Sequence, residues 1–384
     1  MAFSPWTIPI SESAATASPG MTIVVATTAA MAAGVFLITP IQHRGADELR
    51  RGRCSEEPYT APGMAAIDVR SLEREYKGGL KAVRGIDLAV APGEVYGFLG
   101  PNGAGKTTTV RMLVTLLRPT GGSATVAGFD VATEPAQVRR RIGVALQEAA
   151  LDALMTGREL MELQATLHAI PARAVRSRAD DLIGRVGLTE AADRRVATYS
   201  GGMRRRLDLA MALVHEPEVL FLDEPTTGLD PTSRTTLWDE VRRLRADGTT
   251  VFLTTQYLEE ADQLADRVGI IADGLIVAEG TPAALKAEVG LPHLDITFME
   301  CPDLGRAREL LHGFGELRPA PAGADVSVAV AAGAAEIAPV VRVLDEAGFV
   351  VAALELVAPS LDDVFAEKTG RRLEGAAQPA AASA

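Results

Sequence analysis

The stretch Gly100-Pro101-Asn102-Gly103-Ala104-Gly105-Lys106-Thr107, followed by Thr108, decides the fold of this chain. It fits the phosphate-binding pattern G-x-x-x-x-G-K-[ST]. Glycines let backbone N–H groups approach phosphate oxygens, and the N-terminus of the following helix adds a partial positive charge. Residues 94–99, Glu-Val-Tyr-Gly-Phe-Leu, predict a buried strand before the loop, and a helix is expected from residue 106 to about 117. This order predicts an ATP site in which Lys106 contacts the β- and γ-phosphates and the Thr107 hydroxyl holds Mg²⁺.

Two acidic residues follow the most apolar strand that the sequence predicts. Residues 219–222 are Val-Leu-Phe-Leu, which predicts a central parallel strand covered on both faces. Asp223 would stand at its carboxyl end and is expected to ligate Mg²⁺ through water. Glu224 is expected to orient or deprotonate the attacking water. Together with the glycine loop, this pair predicts ATP hydrolysis.

The pattern of apolar residues divides the chain. Residues 64–290 read as an α/β domain, with a helix-rich insertion from 151 to about 213. Residues 291–372 favour a small α+β domain of ferredoxin-like order, with strands at 294–299, 326–330 and 350–356 and helices at 303–312 and 335–346. The Ala-rich tail, residues 373–384, is interpreted as disordered.

The composition limits partners and other chemistry. A net charge of −12 argues against a nucleic-acid partner. Two distant cysteines, Cys54 and Cys301, give neither a disulfide framework nor metal-ligand spacing. Residues 21–41 carry no charge and are long enough to cross a bilayer. Three interpretations of residues 1–63 stay open: an untranslated or disordered extension ahead of Met64, a single membrane anchor, or a surface-bound segment.

Further motifs, together with the two above, give the chain a family resemblance. Residues 64–372 resemble the ATP-binding subunit of an ABC transporter, in particular the daunorubicin/doxorubicin-resistance branch of drug exporters. The additional motifs are Gln147 in Val-Ala-Leu-Gln-Glu, Tyr199-Ser200-Gly201-Gly202-Met203, Gly228-Leu229-Asp230, Gln256 in Thr-Thr-Gln-Tyr-Leu-Glu-Glu-Ala-Asp, and Pro359-Ser360-Leu361-Asp362-Asp363-Val364-Phe365.

The resemblance implies a composite site shared by two copies of the chain. Ser200, Gly201 and Gly202 would open a helix whose N-terminus meets the γ-phosphate bound to the other copy. Two chains would then close head to tail around two ATP molecules and part after hydrolysis. Asp230 would couple the two sites, and Tyr76 would stack on adenine.

The resemblance also implies a membrane partner and one departure from the family pattern. Gln147 would sense Mg²⁺ and water and signal to an integral membrane permease, which places the homodimer at the cytoplasmic face of the membrane. Gln256 stands where the family usually has a histidine that touches the γ-phosphate, and an amide donates a hydrogen bond there but carries no charge.

Alternatives stay open for the transported molecule and for one charge cluster. The same motifs suit the ATPase of a polysaccharide or lipid exporter, and a soluble ABC protein acting on ribosomes or DNA is the rival from another class. The run Arg204-Arg205-Arg206 is interpreted as a solvated helix face, with contact to phosphate, permease or lipid as the alternative.

Overall fold

The structure is a computed structural model, and it describes residues 65–147, 151–299, 303–321 and 323–371. The predictions for residues 1–63 and 373–384 therefore lie outside the described residues. Within the described ranges, no helix combines the length and the apolar character that crossing a membrane requires.

Fourteen strands and eleven α-helices alternate along these ranges. The first part holds β1 (Ile67–Glu75), β2 (Lys81–Val90), β3 (Val95–Leu99), α1 (Lys106–Leu113), β4 (Gly121–Val126), β5 (Phe129–Asp130), α2 (Pro135–Arg141) and β6 (Ile142–Ala145). The middle holds α3 (Gly157–Leu167), α4 (Ala172–Arg185), α5 (Gly201–Ala212), β7 (Val219–Asp223), α6 (Pro231–Ala246), β8 (Thr250–Thr255), α7 (Leu258–Leu264), β9 (Arg267–Ala272), β10 (Leu275–Gly280) and α8 (Pro282–Val289). The last part holds β11 (His293–Phe298), α9 (Leu304–Leu311), β12 (Leu317–Arg318), β13 (Val326–Ala329), α10 (Ile337–Glu346), β14 (Val351–Val357) and α11 (Leu361–Thr369).

A six-stranded sheet, the central sheet, positions the predicted site. Its strand order is β10-β9-β3-β8-β7-β6, and all neighbours are parallel except β10 and β9. Every residue of β7 is buried, with Phe221 in one apolar cluster and Leu220 and Leu222 in another, so both faces of the strand are covered. The prediction of a central, fully covered strand is confirmed. Because β3, β8 and β7 are parallel neighbours, their carboxyl ends lie at one edge.

A second sheet is antiparallel and has the strand order β2-β1-β4-β5. Its strand β1 ends directly before Tyr76, one of the predicted site residues. The sequence predicted β1 and β2 but neither β4 nor β5. Residues 121–130 contain three glycines and make short strands, so the period-two pattern that marks a strand is weak there.

Helix α1 ends at Leu113, four residues before the predicted end near residue 117. Thr115 takes a left-handed backbone conformation (φ 65°), and the N–H groups of Leu116 and Leu117 both donate to Arg111 O, at 2.8 and 2.9 Å. These two hydrogen bonds satisfy a carbonyl at the end of the helix. The left-handed residue that makes them possible is a threonine, whereas glycine is usual at this position. Pro119 and the glycines at 121 and 122 lie beyond this point, so a prediction based on Pro and Gly places the helix end too late.

The predicted helix-rich segment corresponds to α3, α4 and α5. Helix α3 begins with a capping box in which Thr156 and Glu159 exchange hydrogen bonds. At the start of α5 the Ser200 side chain accepts from Met203 N at 3.2 Å.

The C-terminal sheet has the predicted ferredoxin-like order. Its strands run β12-β13-β11-β14 with antiparallel pairing throughout, and α9 and α10 supply the intervening helices. The two-residue strand β12 was not predicted. Helix α11 then returns to the central sheet, where its apolar side chains enter one buried cluster. That cluster contains Leu361, Val364 and Phe365 of α11 with Leu99, Ala261, Val268, Ile270, Ala272 and Leu285.

Candidate active site

The glycine loop joins β3 to α1 at a place where two side chains would not fit. A Cβ on Gly100 would lie 2.3 Å from Ile271 O. Gly105, which caps α1 with φ 112°, would place a Cβ 2.6 Å from Ala82 O. Glycine is required at both positions because of close backbone approach and, at Gly105, a positive φ.

The loop encloses a cavity of about 220 Å³. It is lined by Ala82, Pro101, Asn102, Gly103, Gly105, Lys106, Thr107, Thr108, Gln147 and Glu224. These include most of the predicted phosphate contacts together with Gln147 and Glu224. Residues distant in sequence are thus brought to one place by the parallel strands.

Lys106 is the buried cation of the cavity. Its Nζ donates to Gly100 O at 2.6 Å and to Pro101 O at 3.1 Å, and it pairs with Glu224 Oε1 at 3.3 Å. The two side chains are only 4% and 6% exposed. Burial lowers the pKa of the Lys106 ammonium, and the nearby carboxylates of Glu224 and Asp223 oppose that shift.

Asp223 has one satisfied oxygen and one free oxygen. Its Oδ1 accepts from Thr107 Oγ1 at 3.3 Å and from Thr254 Oγ1. Its Oδ2 is buried and accepts no hydrogen bond from the described residues. A buried carboxylate oxygen next to a threonine hydroxyl fits a hard cation such as Mg²⁺, which prefers oxygen ligands.

Glu224 is held by its backbone while its side chain faces the cavity. Its N–H lies 3.1 Å from Thr254 Oγ1, and its φ is 49°, an unusual value for a residue other than glycine. Gln147 Nε2 lies 3.5 Å from Glu224 Oε2. The predicted residues Lys106, Thr107, Gln147, Asp223 and Glu224 therefore form one connected cluster.

Tyr76 and Gln256 lie at the border of this cluster. The Tyr76 hydroxyl is 3.4 Å from Thr108 Oγ1, and the Arg74 guanidinium lies 4.9 Å from the ring centroid. Gln256 directly follows β8, beside Gly100, whose N–H donates to Thr255 O. The Gln256 side chain makes no hydrogen bond within the part of the chain that the structure describes.

The Ser200 run lies at a different place, beside Asp230. A Cβ on Gly202 would be 2.5 Å from Ser233 Oγ and 3.6 Å from Asp230 Oδ2. Asp230 caps α6 by accepting from Ser233 N and Oγ at 2.9 and 2.7 Å, and these hydrogen bonds lower the pKa of its carboxyl. Ser200, Gly201 and Gly202 do not line the glycine-loop cavity.

The interpretation of residues 204–206 as a solvated face was wrong for Arg205. Only Arg204 is exposed, whereas Arg205 is 7% exposed and reaches the loops of the cluster. The sequence did contain a sign that Arg205 is buried. Gly202, Arg205 and Leu209 are spaced by three and four residues, so they share one face of a helix.

The parallel sheet, the glycine loop and the acidic pair at the end of β7 define a P-loop ATPase. A family model described as ABC transporter matches residues 83–227. The chain is 50% identical to daunorubicin resistance ATP-binding protein DrrA3 of Streptomyces coeruleorubidus, over 81% of this chain and 99% of that protein. The chain therefore belongs to the ABC transporter family, as an ATP-binding subunit of the daunorubicin/doxorubicin-resistance branch, and it is an ATPase.

Other relatives and a solved structure agree with the assignment to the ATP-binding proteins of ABC transporters. Doxorubicin resistance ATP-binding protein DrrA of Mycobacterium tuberculosis (strain ATCC 25618 / H37Rv) is 43% identical over 79% of this chain and 93% of its own length. Nod factor export ATP-binding protein I of Burkholderia orbicola is 42% identical over 66% and 82%. The dimeric, post-hydrolysis structure of the ATP-binding cassette MJ0796 bound to ADP and Pi has a TM-score of 0.53 and 26% identity, covering 56% of this chain and 98% of that one.

Proposed function

We propose that this chain powers the export of an apolar, antibiotic-like molecule through a separate integral membrane permease. It works as a homodimer at the cytoplasmic face of the membrane, with residues 64–290 as the ATPase domain and residues 291–372 as an accessory domain. The observation that carries the proposal is the buried cluster of Lys106, Asp223 and Glu224 in a relative of drug-resistance subunits.

The cluster suits hydrolysis of ATP with Mg²⁺. When bound, Mg²⁺ neutralises charge on the β- and γ-phosphates. Thr107, Gln147 and Asp223 would hold it, and the free Oδ2 of Asp223 supports this assignment. Lys106 would exchange Glu224 for phosphate oxygens, which releases the Glu224 carboxylate to accept a proton from the attacking water.

The composite site is supported by where the Ser200 run lies. Residues 200–202 do not line the cavity of their own chain, and Ser200 and Gly201 are exposed, so these two are available to a nucleotide held elsewhere. A helix N-terminus binds anionic oxygens, and the MJ0796 relative is dimeric. Asp230 touches the same run and would carry changes between the two sites, while Gln256 and Tyr76 would contact the γ-phosphate and adenine.

A second candidate is the export of another class of molecule, such as a polysaccharide or lipid. The likeness to the Nod factor export protein supports it, since related ATPases serve exporters of different cargo. That likeness spans 66% of this chain, whereas the likeness to DrrA3 spans 81%, which favours the drug-resistance branch.

The test is capture of the permease with a hydrolysis-blocked chain. Tagged Glu224→Gln protein would be purified from detergent-solubilised native cells in the presence of ATP. Glu218→Gln is the matched control, because it makes the same substitution at the exposed, opposite end of β7. We expect a polytopic membrane protein to co-purify with Glu224→Gln and to be lost when ADP replaces ATP.

The captured permease then separates the two candidates. Co-expressed with this chain, it should lower cellular accumulation of an anthracycline but leave lipid and surface polysaccharide unchanged. Co-purification of ribosomes or soluble proteins without a permease would refute the transporter proposal.

A further inference from the structure

Arg205 makes three hydrogen bonds to backbone carbonyls inside the protein. Its Nε donates to Pro225 O at 3.0 Å, its Nη2 donates to Asp223 O at 2.7 Å, and its Nη1 donates to Leu146 O. Nη1 also lies 3.4 Å from Asp208 Oδ2, one turn along α5. A planar guanidinium presents its donors in a fixed fork, so these carbonyls are held in one geometry.

The three carbonyls flank the predicted hydrolytic residues. Leu146 directly precedes Gln147, and the second carbonyl belongs to Asp223 itself. Pro225 directly follows Glu224. Arg205 therefore fixes the backbone on each side of the acidic pair and beside Gln147, although it touches none of these side chains.

The charge of Arg205 also offsets the acidic groups around it. Burial lowers the pKa of the guanidinium, and four carboxylates oppose the shift, namely Asp208, Asp223, Glu260 and Glu224. Leaving several buried carboxylates without a cation is costly. The cation thus stabilises the concentration of negative charge at the carboxyl end of β7.

Arg205 stands on the helix that Ser200 caps. Arg205 is the fifth residue after Ser200, which corresponds to about 7.5 Å along the helix axis. The first turn of α5 does not line the cavity of its own chain, and Arg205 in the second turn holds that chain's hydrolytic loops. One short, rigid helix therefore connects the proposed contact to a second copy with the chain's own cluster.

We propose that Arg205 is a positioning residue that ties Gln147, Asp223 and Glu224 to the Ser200 helix of the same chain. Contact of Ser200 with the nucleotide of a second copy is thereby transmitted to hydrolysis at the chain's own glycine loop. This rests on the homodimer of the proposed function, but it needs neither the permease nor an identified cargo.

Mixed dimers of purified, differently tagged chains give the decisive test. In the first, one chain carries Arg205→Lys and the other Glu224→Gln, so the only competent glycine loop belongs to the Arg205→Lys chain. In the second, both substitutions are on one chain. The competent glycine loop then belongs to the wild-type chain, and the Ser200 that contacts its nucleotide belongs to the variant chain. The reference is wild type mixed with Glu224→Gln.

We expect the first dimer to hydrolyse ATP about 10–100-fold more slowly than the reference, as for residues that orient metal ligands. The second should stay within about 2-fold of the reference, which also shows that the Arg205→Lys chain is folded. Arg204→Lys, an exposed neighbour on the same helix, is the matched control and should have no effect in either dimer. Equal losses in both dimers, or a loss in the second alone, would overturn the proposal.

A measurement on single chains keeps the inference separate from dimer formation. Affinity for a fluorescent ATP analogue would be measured with and without Mn²⁺. Arg205→Lys should reduce the gain in affinity that Mn²⁺ provides by about 10-fold, while metal-free binding stays unchanged. An unchanged Mn²⁺ dependence would contradict the inference even if the chain proved monomeric, whereas failure of the permease capture alone would leave it intact.

Discussion

At the scale of single residues, Lys106 is shared between two sets of partners. It donates to two carbonyls of its own loop and pairs with Glu224, and the side chains of both partners of this ion pair are buried. A buried ion pair resists the loss of one partner because the remaining charge would be left uncompensated. Phosphate oxygens can replace Glu224 without that cost, so nucleotide binding itself frees the carboxylate for the attacking water.

Glu224 and Gln256 should differ in their importance for hydrolysis. Glu224→Gln removes the proton acceptor and should lower kcat by about 10²–10⁴-fold. Gln256→Ala removes an amide that has no hydrogen bond among the described residues, so we expect a loss of roughly 10-fold or less. Steady-state ATPase assays with both variants measure this, with binding of a fluorescent nucleotide as the control. Equal inactivity of the two variants would show that Gln256 has a major role.

The residues of the site could largely be predicted because each stands in a short motif whose geometry is local. The glycine loop and the Asp223-Glu224 pair depend on one strand end each, and parallel strands bring such ends together. Arg205 could not be predicted from its motif, since three adjacent arginines look like a solvated surface until the helical period is applied to them.

At the scale of elements, two histidines join α3 to the end of α5. His168, which caps α3, stacks on His215 with ring centroids 3.9 Å apart and planes 3° apart. His215 Nε2 lies 3.0 Å from Ile142 O at the start of β6. Burial, with smaller effects from His168 and Arg178, lowers the pKa of His215 to about 4. The helix-rich region is thus attached to the central sheet through neutral rings.

Acid should weaken this attachment. The unfolded chain binds a proton at His215 near pH 6.5, but the folded chain does so only near pH 4, so stability falls as the pH drops through that window. Between pH 7.5 and 5 the loss from this group is about 2 kcal/mol. In urea unfolding at both pH values, His215→Phe should lose about that much less than wild type. His312→Phe, at an exposed histidine, should behave as wild type, and an unchanged acid loss in His215→Phe would refute the attachment.

At the scale of the whole molecule, the last described helix packs against an earlier part of the chain. Helix α11 follows the C-terminal sheet in sequence, but its apolar face packs with Leu99, Ile270 and Leu285 of the central sheet and α8. Lys368 adds an ion pair of 3.1 Å to Glu288 on α8. Because Leu99 directly precedes Gly100, this packing supports the glycine loop from behind. The alternation of short strands and helices in residues 291–372 predicted the ferredoxin-like order. It did not indicate that α11 would pack against the central sheet and α8.

Substitution of two phenylalanines, one on α11 and one in the C-terminal sheet's core, should show which region α11 stabilises. Phe365→Ala removes a 2%-exposed ring of α11 and should cost about 3–5 kcal/mol. Phe349→Ala removes the same atoms from the core of the C-terminal sheet. Hydrogen exchange should accelerate around Leu99, Ile270 and Leu285 in the first variant, and within residues 293–357 in the second. Acceleration confined to residues 293–357 in both variants would contradict this role of α11.

The position of α11 also has a consequence for the time course of synthesis. A ribosome delivers the glycine loop, the acidic pair and α8 well before it delivers residues 361–369, so the apolar surface that α11 covers stays open until then. Domains generally fold as they emerge, but this one lacks a part of its core until residues 361–369 have been synthesised. A chain cut short by premature termination would present exposed Leu285 and Ile270 to proteases and chaperones. We therefore expect chains truncated before α11 to be degraded faster than chains that contain it.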